Sequence, residues 1–171
     1  MSFIRTGDIM MPSAAVTCAR FASKHNKGVF GKDLFANTVV DPNKQDSKDI
    51  VCYFDSDGDM RRGGNVRTLA SGPAWFVDEM IISSSAENSA DAVQRLRLHV
   101  NFLCSIRNHP VFCEEDQIWY RFIHFALNGR PRRVGRTAGG MQLYEATIRI
   151  VWRPMSTQDR DYETVTGISL D

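Results

Sequence analysis

The 171-residue chain has only four cysteines, Cys18, Cys52, Cys104 and Cys113, and none of them forms a CxxC pair. A zinc site needs clustered thiolate or imidazole ligands. His25, His99, His109 and His124 supply no matching spacing, so no metal is expected. An excess of charge is lacking too: 21 Lys and Arg stand against 20 Asp and Glu, a formal charge of +1. A protein whose main task is to coat nucleic acid carries a clearer basic surplus. Long hydrophobic runs are also missing. Stretches such as Met80-Ile81-Ile82 are far too short to span a bilayer, and Met1-Ser2-Phe3-Ile4-Arg5 opens without the apolar core of a signal peptide. The expectation is a soluble protein made and kept inside a cell, with reduced and mostly buried thiols.

Several familiar motifs begin and then fail. Gly31-Lys32 resembles the end of a phosphate-binding loop, but Asn26 stands where that loop needs its first glycine, and Asp33 replaces the Ser or Thr. Asp55, Asp57 and Asp59 open like a calcium-binding loop, yet Met60 and Val66 occupy the positions that require Gly and a bidentate Glu. His124 or His109, with Asp116 or Glu114, would be the candidates for an enzyme, but no nucleophile or metal framework accompanies them. No catalytic residue, cofactor or metal ligand is therefore assigned. Chain length and 43% hydrophobic content allow one well-packed domain over 1–154, with 155–171 as an extension or arm.

What is present is a series of regular elements. Pro12 suits the first turn of a helix reaching about residue 24, with Asn26 and Gly28 as its stop. Residues 39–48 read as an exposed loop and 50–55 as a strand apolar on both faces. A second strand covers 74–83, where Asp78 and Glu79 interrupt the pattern as if at a strand end in a subunit contact or in water. Asn88 and Ser89 then offer N-cap side chains to a helix over 89–107, with Asp91 in its first turn and Val93, Leu96, Val100 and Leu103 as its apolar stripe. Asn108, His109 and Pro110 read as its end. A third strand, 118–127, is rich in aromatics, and His124 within it reads as a packing residue. A fourth, 141–153, alternates Tyr144, Ala146, Ile148, Ile150 and Trp152 against Glu145, Thr147 and Arg149. Between these last two lies an arginine-rich turn over 129–136. The order α-β-β-α-β-β predicts an α+β fold: a four-stranded, mostly antiparallel sheet flanked by two helices.

The strand at 50–58 with its Asp/Gly-rich turn, the strand at 75–83, the long helix at 90–107 and Arg133-Val134-Gly135-Arg136 leading into 145–150 together resemble the tail terminator, or minor capsid, proteins of long-tailed bacteriophages. Arg132-Arg133 stand where that family has Gly-Asp. The resemblance covers about two thirds of the chain. It implies a non-enzymatic virion protein of the tail and neck, assembled in the host cytoplasm as a homohexameric ring. Such a ring caps the tail tube, ends its polymerisation and meets the head completion or neck protein and, in a contractile tail, the sheath. DNA would pass through its lumen without specific binding, and no membrane is involved. Arg130, Arg132, Arg133 and Arg136 are the expected contacts to a neighbouring subunit or the tube, with Arg61, Arg62 and Arg67 as a second patch. The alternative is a nucleic-acid-binding α+β module in which Trp119, Tyr120 and Phe122 stack bases beside arginines.

Overall fold

A computed structural model describes residues 12–40, 49–56, 76–115, 117–137 and 139–155. Chain order is α1 (Ala14–Lys24), β1 (Leu34–Ala36), β2 (Ile50–Asp55), β3 (Phe76–Ala86), α2 (Ser89–Ser105), β4 (Arg107–Cys113), β5 (Ile118–Leu127), β6 (Arg132–Arg136) and β7 (Gln142–Pro154). The expected four-stranded, mostly antiparallel sheet is wrong. The sheet has seven strands, is mixed and curled, and makes the described part of the protein mostly strand. Its order is β1-β2-β3-β7-β5-β4, with β6 also paired to β7. The β1–β2 pair is parallel and all others are antiparallel.

Three strands account for the difference. β1 has three residues, too few to show a period. In β4, Asn108, His109 and Pro110 do not end a helix but lie in an edge strand, where a missing N–H is tolerated. The helix before it stops at Ser105, capped by Ile106 in extended conformation. β6 falls inside the segment expected to be a turn.

Alternation along β3 and β7 sorts the side chains. Phe76, Met80, Ile82, Ala146, Ile148, Ile150 and Trp152 are buried in one core with the apolar residues of α1 and α2. Val77, Glu79, Ile81, Thr147 and Arg149 take the other face and are half-buried or exposed. Asp78 and Glu79 are thus not a strand end; they lie within β3. The Trp152 indole Nε1 donates to the buried Asp78 carboxylate at 2.8 Å. Glu79, on the opposite face, pairs with Arg149 at 3.2 Å and accepts from Asn128 Nδ2 at 2.7 Å.

Both helices begin on side-chain caps. Ser13, rather than Pro12, sets the start of α1, its Oγ accepting from Val16 N–H at 3.1 Å. Asn88 caps α2 by accepting from Asp91 N–H at 2.8 Å. The buried face of α2 is Ala92, Leu96, His99, Val100 and Leu103, so the stripe is rotated from Val93 toward His99. That rotation places the imidazole Nδ1 at 2.6 Å from the Tyr53 hydroxyl. Burial raises the pKa of that hydroxyl well above its usual value, so Tyr53 stays a neutral phenol against the ring.

Burial, reinforced by nearby Arg95, lowers His99 from 6.5 to about 4. The unfolded chain would take up this proton near 6.5 and the folded one only near 4. Stability therefore falls as pH drops through that window, by about 3 kcal/mol in total. Urea unfolding at pH 7 and pH 4.5 should show the loss in the native protein. The His99→Gln variant should be weaker at pH 7 and lose less on acidification; an equal loss in both would remove His99 as the cause.

Candidate assembly surface

β5 and β6 follow one another along β7. β5 pairs with the later half of β7, from Pro154 back to Ile148, and β6 with its start, from Glu145 to Gln142. Between them the chain jogs at residues 128–131, where Asn128 N–H donates to the Thr147 carbonyl at 2.8 Å and Gly129 takes φ +86°. β4 first pairs with β5 at Arg107 opposite His124. Among the described residues, no strand lies on the outer side of 125–136. The result is a strand edge that no described strand covers on its outer side, with the Leu127 backbone bonded there to Cys104 at the end of α2.

Four of the expected contact residues lie on or beside this edge. Arg130, Arg132, Arg133 and Arg136 are all exposed. Their setting differs from the expected turn, because Arg132, Arg133 and Arg136 belong to a strand. The reversal of direction comes later, where Thr137 N–H donates to the Met141 carbonyl at 2.9 Å and Thr137 Oγ1 accepts from Met141 N–H at 3.2 Å. A register shift between Arg133 and Gly135, with Gly135 at φ +144°, breaks the alternation that would have marked β6 as a strand.

Side chains are held lightly here. Arg132 lies 3.7 Å from Glu145 with 76% of its side chain exposed, a pair worth about 0–1 kcal/mol. Arg133 donates to the Gln142 side-chain oxygen at 3.0 Å. Val134 and Leu127 are also well exposed on this edge. Sequence reasoning passed over both, since an isolated apolar residue among arginines carries no periodic signal.

Arg61, Arg62 and Arg67 lie outside the described residues, as do Asp57 and Asp59. Asp55, at the head of that loop, has a structural role that the sequence did not suggest. Its carboxylate accepts from Ser13 Oγ, from Ala15 N–H at 3.1 Å and from Asn37 Nδ2 at 2.9 Å. It thereby anchors the start of α1 to the end of β2, and a carboxylate at that end also suits the helix dipole.

A cavity of about 230 Å³ opens between α1 and β4, lined by Arg20, Lys24, His25, His109, Glu114 and Trp119 among others. It brings together His109 and Glu114, two of the residues considered for catalysis, while Asp116 lies outside the described residues and His124 does not line it. His109 Nδ1 lies 2.7 Å from the Pro110 carbonyl. Glu114 pairs with Arg20 and, at 3.3 Å, with Lys24, and these cations hold its carboxyl below the usual range. Among the described residues, no three His, Cys, Asp or Glu are placed to hold a metal ion. Of the three rings considered for base stacking, Tyr120 and Phe122 are buried. Trp119 remains partly exposed, its ring centroid 5.3 Å from that of Phe112.

No family model matches the chain, and no curated protein matches it either.

If the arginines serve a surface and Asp55 serves the fold, their substitutions should separate in thermal unfolding. Replacing Arg132 and Arg136 by Ser should change stability by less than about 1 kcal/mol. Asp55→Ala, which leaves several donors without their acceptor, should cost about 3 kcal/mol. Comparable losses in both would contradict this division.

Proposed function

We propose that the chain is a structural virion protein of a long-tailed bacteriophage. In this reading, six copies form a ring that caps the tail tube, ends its polymerisation and presents the opposite side to a head completion or neck protein. The observation that carries the reading is the basic strand edge over 125–136. It offers backbone groups, four arginines and two exposed apolar side chains to a protein partner. A closed ring needs a heterologous contact repeated by rotation, and a strand edge is a directional surface suited to one. Arginine's planar fork adds bidentate pairing to carboxylates.

The place of the arginines in the sheet also supports the reading. β2, β3, β7 and β5, the four strands anticipated from sequence, are adjacent in the centre of the sheet. β1, β4 and β6 are additions at its margins. The paired hairpin that carries the arginines is thus built directly on the central strand.

Light scattering after size exclusion, with negative-stain images of the same peak, tests the ring. Tube protein polymerised with and without the chain tests the cap. The expected outcome is a six-fold ring, free or on tube ends, and tubes that stop growing when it is present. A stable dimer that forms no ring and leaves tube length unchanged would overturn the proposal. Binding to single-stranded DNA or RNA that weakens steeply with salt would favour the nucleic-acid alternative instead.

A further inference from the structure

We infer that Asn128-Gly129 is a site of spontaneous deamidation, held in check by Glu79, whose reaction resets the junction between the aromatic strand β5 and the arginine strand β6. The reaction needs only the folded chain and water, so it holds with or without the ring.

Asn128 is the one asparagine of the sequence that is followed by glycine. It opens the jog at residues 128–131 and is exposed, as is Gly129. The Gly129 nitrogen gives up its proton and attacks Asn128 Cγ. The bond from Cγ to Nδ2 breaks, and Nδ2 leaves as ammonia. A water molecule then opens the cyclic imide at either carbonyl, giving aspartate or isoaspartate. Three features favour the attack. Among the described residues, none accepts from Gly129 N–H. Nothing lies within 4 Å of where a Gly129 side chain would begin. Glycine also has the backbone freedom that closing a small ring demands.

A brake is built across the sheet. The Asn128 side chain reaches over β7 to β3, where its Nδ2 donates to Glu79 Oε1 at 2.7 Å. A carboxylate only accepts, so the amide nitrogen is the atom that must face it. The Asn128 N–H donates to the Thr147 carbonyl at 2.8 Å. Asn128 is thus tied by both its backbone and its side chain, and the rotation that carries Cγ onto Gly129 N has to break the bond to Glu79. The same Glu79 oxygen pairs with Arg149 at 3.2 Å, so loss of that ion pair has to be separated from loss of the clamp.

The product differs from asparagine in two ways. A carboxylate in place of the amide sets two negative charges together where a donor met an acceptor, and the tie to β3 is lost. Isoaspartate also routes the main chain through the side-chain methylene, which lengthens the link from β5 to β6. Arg132, Arg133 and Arg136, paired along the start of β7, then hang on a longer and untied connection.

Peptide mapping by mass spectrometry tests this in the full-length protein, aged at mildly alkaline pH below its unfolding temperature, beside a synthetic peptide of residues 124–133. Conversion should concentrate at Asn128 and run slower than in the peptide. It should speed up roughly tenfold in Glu79→Ala, the weight of one charge-assisted hydrogen bond. Arg149→Ser, which removes the ion pair and keeps the clamp, should age at nearly the native rate. The aged form, separated by ion exchange, should show faster amide hydrogen exchange over 132–136 with β3 unchanged. An unreacted Asn128 in both the native protein and Glu79→Ala, under conditions that convert the peptide, would overturn the inference. Equal rates in those two proteins, or equal acceleration by Arg149→Ser, would overturn the role of Glu79.

Discussion

The antiparallel pairing of β3 with β7 is the constraint on which the other elements depend. It runs without a register shift from Phe76 opposite Trp152 to Ala86 opposite Gln142. β2 attaches to one side of this ribbon, and β5 and β6 share the other. Because side chains alternate along a strand, this single register sends Phe76, Met80, Ile82, Ile148, Ile150 and Trp152 to the helix-covered face together. A slip of one residue would turn all of them outward. The hydrogen bond from Trp152 to Asp78 specifies the same register by polar means. A buried carboxylate without its donor costs several kcal/mol, so misaligned pairings are disfavoured twice.

The legible parts of the fold were those with a clean period. β2, β5, β7 and the body of α2 follow from alternation or helical spacing, and the sorting of β7 into two faces agrees with the structure residue by residue. What stayed hidden depended on partners distant in sequence. β1 is a strand because β2 lies parallel beside it. Asp78 looked like an interruption because the indole that satisfies it is 74 residues away. Pro110 looked like a helix stop because nothing local says that it lies on a sheet edge. The start of α1 was misassigned for a simpler reason: Pro12 drew attention from the adjacent Ser13, which is the actual cap.

The arginines show the same division. Their density between Gly129 and Arg136 was visible in the sequence, but the bulge at Gly135 concealed the strand that carries three of them. Their placement changes what they can do. Side chains on a paired strand are displayed with a fixed spacing and face, and less entropy is lost when a partner binds than if they hung from a mobile loop. The tether through Gln142 and the weak pair with Glu145 bias two of them without burying their charge.

The position of β7 in the sheet also bears on how the chain is made. It is central in space but the last of the described strands to be synthesised. While it is still being translated, β3 and β5 have no common neighbour, and the aromatic side chains destined for the core lack their main cover. The native sheet closes only after Trp152 emerges, so folding is dominated by a late, long-range pairing of the kind that makes β-rich domains slow. Nascent chains thus pass through an interval with exposed strand edges, when aggregation competes most strongly with folding. Premature termination before residue 142 would remove the centre of the sheet, and no shortened version of this fold would remain.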